Sequence, residues 1–135
     1  MKMIVSLAVL ILLAACADRP QPIRLTGAET RGASDAPRQV TAGFLSERTG
    51  TFMELVTADG AVLVGTLRTE REPVAVPFAE TGTALIGGGT ALAGDLTGAG
   101  GAMACRFRLL NPPRGLNGGG SGRCEGQGRQ VVFLF

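Results

Sequence analysis

The sequence predicts an all-β protein, a small antiparallel meander of about six to eight short strands curled into a barrel or a sandwich. A signal helix and a disordered tether are expected before it. Two observations carry this prediction: apolar runs of strand length recur from residue 41 onward, and turns rich in Gly, Pro and Asn separate them. No amphipathic helical pattern occurs there. We therefore divide the chain into a signal peptide (1–15), a tether (16–40) and a β-domain (41–135).

The first predicted hairpin joins residues 51–57 to residues 61–67 through Asp59-Gly60. Both runs are rich in apolar and β-branched residues, and Asp-Gly between such runs is a strong hairpin signal because Gly readily takes the positive φ of a tight turn. Pro73 and Pro77 follow, so residues 74–78 are expected to form at most an edge strand or an extended connection.

A glycine and leucine pattern recurs along the chain. Gly60-x-x-Leu63-x-Gly65-x-Leu67 returns 29 residues later, from Gly89 to Leu96, and a weaker echo runs from Gly128 to Phe135. Leucines or other apolar residues spaced in this way suit strands with one face on a core, and the glycines suit turns and close backbone approach. The pattern suggests a repeated hairpin.

The clearest alternation lies near the C-terminus. Residues of one face are apolar, namely Met103, Cys105, Phe107 and Leu109. Arg106 and Arg108 occupy the other face, as in a strand with one side on a core. A long turn over residues 111–120 then leads to two further short strands, residues 122–125 and 129–135.

The chain begins with the pattern of a secretory signal. Lys2 precedes an apolar run over residues 4–15, interrupted only by Ser6 and followed by Cys16. Twelve helical residues span about 18 Å, whereas a membrane-crossing helix must cover about 30 Å. The run therefore indicates a signal peptide. Residues 17–40 are rich in Pro, Ala, Arg and small polar residues and lack apolar periodicity, which predicts a flexible tether.

The segment Leu13-Ala14-Ala15-Cys16 resembles the lipobox of bacterial lipoproteins. The resemblance implies cleavage between Ala15 and Cys16, a diacylglycerol thioether on Cys16 and attachment of the protein to a membrane. Ala17 follows the cysteine, where Asp favours inner-membrane retention in this family. The resemblance thus implies an outer-membrane protein facing the periplasm. The glycines before Cys124 also resemble the end of small uncharacterised envelope lipoproteins, a likeness that implies no activity.

The lipobox resemblance also bears on the other cysteines. With Cys16 used by lipid, Cys105 and Cys124 remain in an oxidising compartment where disulfides persist. Pairing them closes a loop, and in the chain-entropy model this cross-link stabilises the folded state by roughly 3 kcal/mol. The alternatives are two free thiols or a metal pair, and the latter lacks further soft ligands. We expect the disulfide, and neither a metal nor a cofactor.

Charge and composition limit the function. After removal of the signal peptide the chain has twelve arginines and eleven carboxylates, so its net charge is small. The arginines are scattered along the sequence and there are few aromatic residues to stack on bases, so nucleic acid is not expected as a partner. The chain has no His, Tyr or Trp, and its one lysine lies in the signal peptide. These absences remove Ser-His, Cys-His and Ser-Lys catalysis.

Carboxylate chemistry is what remains. The carboxylates considered for it are Glu47, Glu54, Asp59, Glu70, Glu72, Glu80, Asp95 and Glu125. Nothing in their spacing singles out an acid and base pair, and solvated strand faces and turns explain them. The sequence therefore predicts a non-enzymatic, membrane-anchored envelope lipoprotein that acts in envelope structure or in binding another envelope protein. The alternatives are a carrier of an apolar ligand in a β-domain cavity and, behind it, a carboxylate-dependent glycan enzyme.

Overall fold

Eight antiparallel strands close into a barrel in the computed structural model, which describes residues 21–78 and 82–135, with the backbone alone described between residues 72 and 88. Each strand pairs with its neighbours along the chain, and the last pairs with the first. In chain order the strands are β1 (Ile23–Thr30), β2 (Arg38–Glu47), β3 (Gly50–Val56), β4 (Val62–Phe78), β5 (Gly82–Gly98), β6 (Gly101–Leu109), β7 (Gly120–Gly126) and β8 (Arg129–Leu134). A 3-10 helical segment, Pro112–Gly118, joins β6 to β7. The predicted all-β meander is confirmed, in its barrel form.

The tether prediction is wrong for residues 23–40. Ile23–Thr30 forms β1, which pairs with β2 on one side and with β8 on the other and so closes the barrel. Its side chains alternate between more buried and more exposed positions, from Ile23 and Leu25 to Glu29, which is 2% exposed. The β-domain thus begins at residue 23 rather than 41. The predicted signal helix lies outside the described residues.

Aromatic side chains fill the middle of the barrel. The Phe107 ring centroid lies 5.2 Å from that of Phe44, edge to face, and 5.5 Å from that of Phe133. Two inward glycines make room for these rings: a Cβ at Gly122 would lie 2.2 Å from the Phe107 ring, and one at Gly27 would lie 2.6 Å from the Phe133 ring. The interior is therefore a packed core, as an eight-stranded barrel permits.

Strands β4 and β5 are much longer than the rest. β3 pairs with β4 only as far as Leu67, and β6 pairs with β5 only from Thr90 onward. Beyond these points the two strands pair with each other alone among the described residues, with a register shift between Glu72 and Val74. The expected edge strand over residues 74–78 is confirmed, because Pro73 lies at that irregularity and the part of the chain that the structure describes pairs residues 74–78 with β5 alone.

The repeated hairpin is wrong. Gly60 and Gly128 lie in turns with positive φ (85° and 68°), whereas Gly89 lies inside β5. The hairpin predicted at Asp59-Gly60 is confirmed between β3 and β4. The pattern matched because Leu63 and Leu92 are both buried in the core, although the two segments occupy different places in the topology.

Candidate functional site

The barrel has two ends that differ in chemistry. We call the end where β1 begins the upper end; it carries the β2–β3 turn, the segment Pro112–Gly118 and the C-terminal residue Phe135. The lower end carries the β1–β2 loop and the β3–β4, β5–β6 and β7–β8 turns. No helix within residues 21–78 and 82–135 is both long and apolar enough to cross a membrane.

A cluster of charged side chains ties the lower end together. The Glu29 carboxylate accepts hydrogen bonds from the backbone N–H of Ala58 at 2.8 Å and from Arg31 Nε at 3.3 Å. Arg129 donates from both terminal nitrogens to the Asp59 carboxylate, at 3.1 and 3.0 Å, and its guanidinium also lies 3.9 Å from Glu29. Arg31 donates to Asp59 at 2.9 Å. The cluster therefore links the end of β1 to the β3–β4 turn and to the start of β8.

The electrostatics of this cluster favour ion pairing over acid-base chemistry. The hydroxyl of Thr57 donates to Asp59, and together with the Arg129 guanidinium it holds the pKa of Asp59 well below its ordinary value. A general acid needs the opposite, a carboxyl with a raised pKa. Glu29 and Asp59 are brought together by shared arginines, and this arrangement suits a structural clasp rather than a catalytic pair.

The upper end contains a pocket of about 390 Å³. Hydroxyl side chains contribute much of its lining, namely Ser46, Thr51, Thr69 and Thr90. Apolar residues of the barrel and of the 3-10 segment complete it, and Leu116 of that segment is buried against the core. The pocket therefore offers hydrogen-bonding groups and apolar surface together, which suits a small molecule with both kinds of group.

One half of the outer wall is charged. Arg106 of β6 pairs with Glu70 of β4 at 3.0 Å, and Arg123 pairs with Glu125 along β7 at 3.3 Å. Gln130 of β8 also donates to Glu125 at 3.1 Å. Exposed ion pairs of this kind contribute little stability, about 0–1 kcal/mol each. Contact with water is therefore sufficient to account for the charged residues on this half of the wall.

The outer face of β2, β3 and β4 carries five apolar side chains among polar and charged ones. They are Leu45, Phe52, Val56, Val62 and Val64. Leu45 pairs directly with Phe52 across the sheet, and Val56 pairs with Val62. Between these two pairs lies the exposed Glu54 of β3, flanked by Val64 on β4 and by Gly43 on β2, above which there is open space. We call the five apolar residues the apolar patch; clusters of apolar side chains on an outer surface are a feature of interaction sites.

Some of the site residues predicted from the sequence lie within the described part of the chain, and others do not. Cys105 and Cys124 form a disulfide, as expected, between directly paired positions of β6 and β7, and both face the core. Ala15 and Cys16, the predicted cleavage and lipidation residues, lie outside the described part of the chain. Residues 21–78 and 82–135 contain no group of three or more side chains suited to a metal ion.

Sequence reasoning missed three members of the lower-end cluster: Glu29, Arg31 and Arg129. The first two fell within the predicted tether, so they were not considered as part of a fold. The alternation of Ile23, Leu25 and the residues after them was the signal that could have placed Glu29 in a strand. Nothing in the sequence indicates that Arg129 meets Asp59, 70 positions away.

Comparisons with known proteins add no assignment to this geometry. No protein-family model, no curated protein sequence and no solved structure matches the chain. The candidate sites are therefore judged by their own chemistry. They are a structural clasp at the lower end, a small pocket of mixed polar and apolar lining at the upper end, and an apolar patch on the wall.

Proposed function

We propose that this chain is a lipid-anchored protein of the bacterial envelope whose barrel binds another envelope protein and does not catalyse a reaction. The apolar patch is the observation that carries the binding role. Among the described residues it contrasts with the charged half of the wall, although both lie on the outside of the same barrel. The anchor rests on the lipobox-like residues that end at Cys16.

The position of Cys16 supports a defined orientation. It precedes Ile23, the first residue of β1, by seven positions. Seven extended residues reach at most about 25 Å. A lipid on Cys16 would therefore keep the upper end close to the membrane and leave the lower end directed into the periplasm. The patch, on the side of the barrel, would remain accessible to a partner.

The filled interior favours binding at the surface over the transport of an apolar ligand. A carrier needs an enclosed apolar chamber of several hundred Å³. Phe44, Phe107 and Phe133 occupy the centre of this barrel, and the pocket at the upper end is small and has hydroxyl groups as well as apolar residues in its lining. The glycan-enzyme alternative receives no support from Asp59, whose pKa is lowered by its partners.

The anchor is tested by metabolic labelling with radioactive palmitate. Cys16→Ser should abolish incorporation, and Ser6→Ala, a change inside the apolar run, should retain it. Ala17→Asp should keep the label and move the protein from the outer- to the inner-membrane fraction. Undiminished labelling of the Cys16→Ser protein would contradict the anchor, and unchanged fractionation of Ala17→Asp would contradict the outer-membrane assignment.

The binding role is tested by photocrosslinking in living cells. A photoreactive amino acid at Val64, which is 36% exposed in the patch, should give discrete crosslinks to a protein of the envelope. Val132 is the matched control, because it is 38% exposed and lies beside the charged residues of the opposite wall. Equal crosslinking at both positions, or none at Val64, would refute the patch as the binding surface.

A further inference from the structure

Strands β4 and β5 extend beyond the part of the barrel in which they pair with β3 and β6, and this extension has no role in closing the barrel. We call residues 72–78 of β4 and 82–89 of β5 the ribbon. Among the described residues neither segment pairs with a third strand. An isolated two-stranded hairpin is marginally stable in water. The ribbon therefore calls for a partner that covers it.

The ribbon carries apolar residues on both faces. From the register, Val74 and Val76 share one face with Ile86, and Ala75 shares the other with Leu85. No charged residue occurs within 73–78 or 82–89; Glu72 comes before this stretch, and Glu80 lies between the two segments in sequence. A soluble sheet with one face on a core alternates apolar and polar residues, and this ribbon does not.

The ribbon lies at the upper end, where the chain enters the barrel from Cys16. β4 continues upward from Leu67, which pairs with Thr51 near the start of β3. Two of the most exposed apolar side chains of the described structure, Leu110 (80%) and Leu134 (79%), lie at the same end. Arg114, on the segment between β6 and β7, is exposed there as well.

The lengths also match. Residues 72–78, at about 3.3 Å each, extend roughly 23 Å beyond the last residues that the barrel pairs. The chain from Cys16 to Ile23 spans at most about 25 Å. The two lengths are comparable, so a connection that is less than fully extended brings the membrane that holds the lipid within reach of the ribbon.

We propose that the ribbon is a second membrane contact, which lies in the interfacial layer of the leaflet that holds the lipid on Cys16. This inference rests on the proposed lipid anchor. Lipid suits a ribbon with apolar residues on both faces, because acyl chains and the apolar part of the headgroup layer can surround it, whereas a protein groove covers one face. The interfacial layer, unlike the hydrocarbon core, also accommodates the carboxylates of Glu72 and Glu80, which flank residues 73–78 in sequence. Exposed basic residues such as Arg114 favour anionic headgroups.

The absence of tryptophan from the chain provides a clean test. The full lipoprotein carrying Phe78→Trp is purified, its lipid is verified by mass, and it is reconstituted into vesicles of phosphatidylethanolamine and phosphatidylglycerol with brominated acyl chains. The Trp emission should move to shorter wavelength and be quenched several-fold relative to vesicles without bromine. Leu85→Trp supplies a second reporter on the other strand, and Val132→Trp on the charged wall should remain unquenched.

The outcomes separate the two proposals. Quenching at position 78 or 85, without quenching at 132, supports the ribbon contact. Verified lipid on Cys16 with no quenching at either ribbon position overturns this inference and leaves the anchor intact. A protein without lipid on Cys16 overturns the anchor and the inference with it. Absence of quenching at both ribbon positions, combined with capture of an envelope protein by a photocrosslinker at position 78, would overturn the membrane contact and assign the ribbon to a protein partner.

Discussion

A single methyl group at Gly122 tests whether the barrel interior is filled. A Cβ built there would lie 2.2 Å from two atoms of the Phe107 ring, far inside van der Waals contact. The ring cannot swing away freely, because Phe44 and Phe133 lie with their ring centroids 5.2 and 5.5 Å from it. Overpacking of a well-packed core costs about 1–3 kcal/mol. For a domain of this size that corresponds to a fall in Tm of roughly 4–12 °C.

Gly43→Ala is the matched control. Gly43 also lies in a strand, with φ outside the left-handed region, but a Cβ there meets nothing within 4 Å. The same change should therefore be neutral or stabilise the barrel by up to about 1 kcal/mol, because the unfolded chain loses conformational freedom. Thermal unfolding is followed by far-ultraviolet circular dichroism, since the chain has neither Trp nor Tyr.

The Tm values of these two variants also test whether the barrel interior could hold a ligand. If Gly122→Ala matched the wild type in Tm, the interior would have room for an added group, and the reasoning that excludes a ligand chamber would fail. Equal destabilisation by Gly122→Ala and Gly43→Ala would show that the cost arises from the strand backbone and not from contact with Phe107.

Three further predictions concern the lower end and the disulfide. Glu29→Gln should lower the free energy of unfolding by about 2 kcal/mol, because the buried carboxylate that accepts from a backbone amide and a guanidinium loses its charge. Glu125→Gln, on the exposed wall, should change the free energy of unfolding in urea by no more than about 0.5 kcal/mol. Equal effects of the two substitutions would contradict a stabilising role for the lower-end cluster. Asp59 has a lowered pKa in the folded state, so its stabilising contribution is present above its ordinary pKa and is lost as the pH falls from about 5 toward 2. Over that range the Tm of the wild type should therefore fall more steeply than the Tm of Asp59→Asn. Parallel curves of Tm against pH would refute the contribution of Asp59 to stability. Reduction of Cys105–Cys124, which are 19 positions apart, should cost about 3 kcal/mol in urea unfolding, and an unchanged midpoint would remove the disulfide from the sources of stability.

The later strands were predictable because local signals agreed there. Around Cys105 and Phe107, strict alternation defined the inward face, and the Asp59-Gly60 turn set the first hairpin. Both signals are local, since side-chain alternation and positive φ depend on a few adjacent residues. The disulfide also followed, once Cys16 was set aside, because only two cysteines remained.

The first strand was not predictable with the same reasoning. Residues 23–30 have few large apolar side chains, and Pro-rich and polar stretches surround them, so their composition resembles a linker. They form β1 because closing the barrel leaves one position between β2 and β8, where backbone pairing on both sides compensates for modest burial. The lower-end cluster was missed for the same reason, because Glu29 acquires its partners only when that strand is in place.

The amino-acid sequence by itself determined the all-β class, the inward face of the C-terminal strands and the pairing of Cys105 with Cys124, because these depend on local alternation and on counting. Only the tertiary structure decided that the sheet closes, that β4 and β5 overhang the upper end, and that Arg129 meets Asp59 across 70 positions. Closure and long-range ion pairs depend on where every strand lies around the barrel, and no short window of sequence contains that information.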